Sequence, residues 1–205
     1  MATNEEIVAA AQQLYVSYYG RPADPEGLAF WIAEFTESDN VDQVLVDFGT
    51  SDEYLAILED AGDTEGLITQ LYQFMFNRDP DADEEGLAFY TEILDADPDA
   101  LASIALDIAN GATGDDVTIL ENKIGVANSF TADVEESGSL YQESDIAGAQ
   151  GVLALVDASD ESVAAGEAAS TAFVGALPQE VAGGEYTLDE DNATASYEAA
   201  TAAVT

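Results

Sequence analysis

Alternating acids are the first residues in this chain whose spacing could do chemistry: Asp79, Asp81 and Asp83, then Asp95, Asp97 and Asp99. Carboxylates at every second position can wrap a hard cation, so calcium is the candidate cofactor of both stretches. Neither is an EF-hand loop. That loop needs a glycine sixth and a glutamate twelfth; counted from Asp79 those places hold Glu84 and Tyr90, and from Asp95 they hold Ala100 and Leu106. The same acids also lie where helices are expected to begin. Each stretch therefore reads either as a looser calcium site or as a helix-capping loop.

Other chemistry is poorly supplied. The chain has no Cys and no His, which excludes disulfides, thiolate or imidazole metal ligands, cysteine nucleophiles and imidazole bases. With 43 Asp and Glu, a close pair of carboxylates is expected by chance and does not mark a glycosidase. GATGDD at 111–116 contains glycine but lacks the lysine and spacing of a phosphate-cradling loop. Trp31 and the tyrosines can stack on sugars, yet at helical spacing beside Leu and Phe they read as core. No enzyme is expected.

The formal net charge is −40, from three Lys and Arg against 43 acids. Nothing here can neutralise phosphates, which argues against nucleic acid and equally against anionic membrane surfaces. Such a surface repels itself and suits high salt, divalent cations or both. No apolar run is long enough to span a bilayer, so no membrane insertion is expected. The opening MATNEEIVAA lacks the basic and apolar regions of a secretory signal. Export, on this reading, uses a route that needs no N-terminal signal.

Two of the three cations fall at the same point of a repeated phrase. LYVSYYGRPADPEGLAFW runs from Leu14 to Trp31, and LYQFMFNRDPDADEEGLAFY from Leu71 to Tyr90. The copies keep one spacing up to Arg21 and Arg78, and the second then carries two extra residues before its glycine. Asp24 and Asp83 each stand three before Gly27 and Gly86, where an N-cap accepts hydrogen bonds from the first free amides of a helix. Each arginine ends the preceding helix, where a cation suits the dipole and can also reach the capping aspartate of the next. Each glycine lets the second helix approach the first. Leu28, Phe30 and Trp31, with Leu87, Phe89 and Tyr90, are expected to pack back on Tyr15, Tyr18 and Phe74. The third cation, Lys123, is expected to pair with Glu121, Asp116 or another nearby acid.

These corners need helices to carry them. Apolar residues recur at helical spacing up to about Leu177, as at Ile7, Leu14 and Tyr18, or Leu67, Leu71, Phe74 and Met75. Caps are expected at Ser51, Thr113, Ser144 and Ser159, and at Asp97 before Pro98. The spacing predicts helices near 4–19, 25–37, 41–48, 51–60, 64–77, 84–94, 98–110, 115–135, 144–157 and 160–177. The fold class is therefore all-α. It is a multi-helix bundle of two repeated helix-turn-helix units, about 4–60 and 61–112, plus a C-terminal helical hairpin within 113–177. Together these make a helical domain over 1–177. An extended linker or assembly tail, 178–205, comes next, whose Ala and Thr permit a short strand (Tyr186-Thr187-Leu188) or a weak helix.

The repeated phrase resembles the helical unit of a domain of unknown function found in bacterial surface-layer proteins and other type-I-secreted surface proteins with calcium-binding RTX repeats. A more distant similarity is to the phycobilisome-linker domain. ENKIGVANSFTADV at 121–134 and the stretch from Tyr141 to Leu177 also resemble the region C-terminal to the repeats in the surface-protein group, so the likeness covers about 10–177. The RTX nonapeptide itself is absent from the sequence. The resemblance implies an extracellular, non-enzymatic structural protein at the cell surface. It implies partners in further copies of itself, as a homo-oligomer, lattice or filament, and in lipopolysaccharide or another glycan met through bridging calcium. The linker likeness implies an alternative: an adaptor that organises other proteins through an acidic surface.

Overall fold

The computed structural model describes residues 4–37, 41–80, 84–97 and 100–179. Among them ten α-helices form, and the only strand-like pairing is one antiparallel bridge between Ser139 and Gln179. The chain is all-α. The helices are α1 (Asn4–Leu14, running on as a π-helical turn, Tyr15–Tyr19), α2 (Pro25–Glu37), α3 (Val41–Gly49), α4 (Asp52–Ala61) and α5 (Thr64–Phe76). They continue with α6 (Glu84–Ala96), α7 (Leu101–Asn110), α8 (Asp115–Ser137), α9 (Ile146–Ala154, after a 3-10 turn at Glu143–Asp145) and α10 (Asp160–Ala176).

Several starts follow local chemistry. Ser51, Asp63 and Ser159 are extended at the N-cap and accept from the amides of Tyr54, Gly66 and Ser162 at 3.2, 2.8 and 3.2 Å. Others differ from expectation. The helix expected from 98 begins at Leu101. Ser144 does not open α9: it lies inside the 3-10 turn, whose reciprocal cap is made by Gln142 and Asp145. Thr113 is not the cap of α8, which starts after Gly114 at φ 61° without a side-chain cap.

The helices form two matching sets. In α1 to α4 and again in α5 to α8, a long first helix turns a tight corner into a second helix that packs along it. Between the sets α3 packs on α7, α5 on α4 and on the π-helical turn, and α1 on α8. Tyr18, Phe48, Tyr54, Leu67, Ile68, Leu71, Met75, Ile104 and Ile108 are fully or almost fully buried in the shared core. The α9–α10 hairpin lies against α8, with its own cluster of Phe130, Val134, Ala149, Val174 and Leu177. Of the expected tail, Pro178 and Gln179 are described; the Leu140 amide donates to the Pro178 carbonyl at 2.7 Å. The rest of the tail, with the short strand or weak helix it permits at Tyr186-Thr187-Leu188, lies outside the described residues.

One packing expectation is overturned. Phe30 and Phe89 do not turn back onto the first helices; they are 55 % and 57 % exposed. The reason is angular. Leu28, Trp31 and Phe35 on α2 share one face and pack against the core, as do Leu87, Tyr90 and Leu94 on α6. A residue two places beyond the first leucine is turned about 200° from it, onto the opposite face.

Candidate functional site

The two arginine corners and the buried lysine hold every Lys and Arg of the chain. The first corner opens where the π-helical turn ends at Gly20, in the left-handed region at φ 65°. A Cβ there would fall 2.3 Å from the Phe74 ring, so both conformation and space ask for glycine. Arg21 follows and is 5 % exposed. Its Nε and Nη2 donate to Oε1 and Oε2 of Glu53 at 2.6 and 2.7 Å, a parallel fork. Its Nη1 donates to the Pro22 carbonyl at 3.0 Å and reaches Asp24 at 3.4 Å. The guanidinium also lies over the rings of Tyr15, Tyr19 and Tyr141. Asp24 takes the Gly27 amide at 2.7 Å and so caps α2. A Cβ on Gly27 would stand 2.2 Å from the Tyr15 hydroxyl oxygen.

The closest acid is therefore not the capping aspartate but Glu53, in the first turn of α4. That carboxylate sits at a helix N-terminus while the arginine sits at a helix C-terminus, so both dipoles favour the pair. The second corner repeats the device. Asn77, at φ 54°, replaces Gly20 as the left-handed residue, as asparagine can. Arg78 Nε and Nη2 then donate to Asp116 Oδ1 and Oδ2 at 3.1 and 2.6 Å, in the first turn of α8. This correspondence carries the second set of helices into α8. Asp83, the expected cap of α6, lies outside the described residues, and Gly86 borders an opening of about 370 Å³ beside Arg78. The opening is lined by Ile108, which stands in the α7 run IALDI where α3 has Phe48 in VLVDF. The Phe48 ring touches Tyr15, Tyr18, Tyr19 and Trp31 in the first set.

Lys123 makes no ion pair with Glu121 or Asp116. It is 1 % exposed, and its Nζ donates to the Phe74 carbonyl at 2.5 Å and to Asn77 Oδ1 at 2.6 Å. Phe74 belongs to the last turn of α5, so the ammonium closes that helix's carbonyl end. Burial pushes its pKa down to about 7. Asn77 is held from its other side, with Nδ2 donating to the Val156 and Ala154 carbonyls at 2.8 and 3.2 Å.

Further polar ties carry no signal in the sequence. Gln150 on α9 donates to the Tyr19 carbonyl at 2.9 Å. The C-terminal hairpin thereby holds both corners, one through Gln150 and the other through Asn77. Buried Gln12 donates to Thr131 Oγ1 at 3.1 Å and accepts from the Ala23 amide at 3.3 Å, while Thr131 donates to the Ala23 carbonyl at 2.6 Å. A signal for the arginine partners does exist. Asp52-Glu53 and Asp115-Asp116 are acid pairs at the start of the fourth helix of each set.

An open cleft of about 840 Å³ runs beside Arg21, between α4 and the turn into α9. Its rim carries Asp24, Asp52, Glu53, Asp60 and Glu143, and its one cation is already matched by Glu53. The arrangement holds helix ends in place. Of the expected calcium ligands, Asp81, Asp83 and Asp99 lie outside the described residues. Asp79 accepts from Gln73 Nε2 at 2.6 Å, and Asp95 and Asp97 are exposed. Among the described residues no three acids converge as a protein-held metal ion requires.

Fold and site together define a helical protein built on a duplicated, arginine-pinned corner. No family model matches the chain, and neither does any curated protein or solved structure.

Proposed function

We propose that this chain is a non-enzymatic structural protein of the bacterial cell surface, surface-layer-like or self-assembling, exported by type I secretion. Calcium bridges its carboxylates to lipopolysaccharide or another glycan, or to neighbouring subunits. The observation that carries this reading is where the cations lie. Arg21 and Lys123 are buried on helix ends, and Arg78 is paired with Asp116. The outer surface is left to the acids. A surface of that kind meets an anionic glycan, or another copy of itself, only through divalent ions. Calcium on this reading is shared between surfaces and does not need a cage within one chain.

Sedimentation with purified lipopolysaccharide tests the attachment. The chain is expected to pellet with it in millimolar calcium and to stay in the supernatant after EGTA. Absence of binding in calcium, or binding indifferent to EGTA, would count against attachment.

A further inference from the structure

The corners explain the repeated arginine, aspartate and glycine but leave one repeated residue unused. Phe30 and Phe89 hold the same place in the two phrases, and both are more than half exposed. The likeness extends to geometry. Phe30 meets the half-buried Trp31 edge-on, with centroids 5.0 Å apart and planes at 79°; Phe89 meets Tyr90 at 5.2 Å and 72°. Around them the outward faces are small or acidic: Ala29, Ala33, Glu34 and Glu37 on α2, and Ala88 and Glu92 on α6. No core contact accounts for these rings, and an exposed phenylalanine works against solubility. Its presence in both copies, in one orientation, marks a contact face rather than a lone surface aromatic.

We infer that α2 and α6 each present a docking face for a basic amphipathic helix, an aromatic anchor set among small residues and framed by carboxylates. Charge decides the occupant. The −40 balance and the inward cations oppose a second copy of this chain at an apolar contact in the absence of bridging ions, and favour a partner rich in lysine or arginine. An apolar stripe on that partner covers the phenylalanine, and the alanines let its backbone come close. Two equivalent faces make the chain bivalent, able to hold two such segments or one protein that carries both. This docking is separate from the calcium-bridged contacts proposed above, because it needs no metal.

Calorimetric titration in EGTA and about 0.15 M salt, with a Lys/Leu amphipathic peptide of about 18 residues (roughly five helical turns), tests it. A second peptide of equal charge, with every Leu replaced by Ser, controls for attraction by charge alone. The Lys/Leu peptide is expected to fill two sites per chain. F30S and F89S should each leave one, and the double variant should bind no better than it binds the Lys/Ser peptide. Both positions are exposed, so the helices survive the changes, and circular dichroism confirms it. Equal binding of the two peptides, or a stoichiometry untouched by the variants, overturns the inference. So does a peptide-free oligomer in EGTA that F30S or F89S dissolves, which would put a second copy on these faces.

Discussion

Replacing Arg21 with alanine is expected to lower unfolding free energy by about 3–4 kcal/mol, whereas the same change at Arg78 removes about 1 kcal/mol. The two arginines occupy one position of one repeated phrase, so sequence alone treats them alike. Burial separates them. The Arg21 side chain is 7 % exposed, Arg78 30 %. Removing Arg21 leaves Glu53 with neither half of its fork and takes the cation from over three tyrosine rings. At Arg78 the guanidinium already reaches water and lies over two rings, Tyr72 and Phe76. The acid it leaves, Asp116, is 17 % exposed against 26 % for Glu53, so the difference rests on the burial of the arginines themselves. Arg21→Lys keeps the charge but loses the planar fork, and is expected to fall between wild type and Arg21→Ala. Urea titration at fixed pH and salt measures all three. Equal losses at Arg21 and Arg78 would refute the claim that the first corner is the stronger pin.

Lys123→Ala is expected to remove about 3–5 kcal/mol, through a cavity in α8 and through unmet acceptors at Phe74 and Asn77. Lys123→Met fills the space and loses only the hydrogen bonds, about 1–3 kcal/mol. The pH profile carries the sharper signature. In the unfolded chain Lys123 keeps its proton up to the ordinary 10.5, while in the folded chain burial lowers the pKa to about 7. Between those values folding releases a proton, so stability rises with pH, by at most about 1.4 kcal/mol per unit. Lys123→Met should flatten that slope. A flat wild-type profile would instead mean that Phe74 and Asn77 hold the charged ammonium inside. Above pH 10 the sign reverses in both proteins. Burial raises the pKa of Tyr15, Tyr18, Tyr19 and Tyr54, and pushes Tyr141 up to about 12. The unfolded chain gives up those protons first, so stability falls as pH climbs.

The features legible in the sequence are those that act over a few residues. Helical periodicity points to the all-α class, and the caps at Ser51 and Ser159 lie three residues from the amides they satisfy. Asp24 and Gly27 are three apart, and their contact follows from spacing alone. The partners of the arginines are out of reach for the opposite reason. Glu53 lies 32 residues from Arg21 and Asp116 lies 38 from Arg78, so pairing needs the fourth helix of each set to return to the corner. Lys123 is harder still. In so acidic a chain a lysine should find a carboxylate, yet α8 delivers it to a helix end that only tertiary packing brings near. Size and apolarity alone would turn Phe30 and Phe89 inward. Their angle on the helix, set by Leu28 and Leu87, decides otherwise.

Every cation of this chain serves the interior or a helix corner, and we propose that the acids meet the outside through bridging ions. Light scattering of the full chain, at constant ionic strength with and without millimolar calcium, tests that claim most directly. Growth into large particles on calcium, reversed by EGTA and not reproduced by sodium chloride, is the predicted result. An unchanged particle size across the calcium range would contradict it.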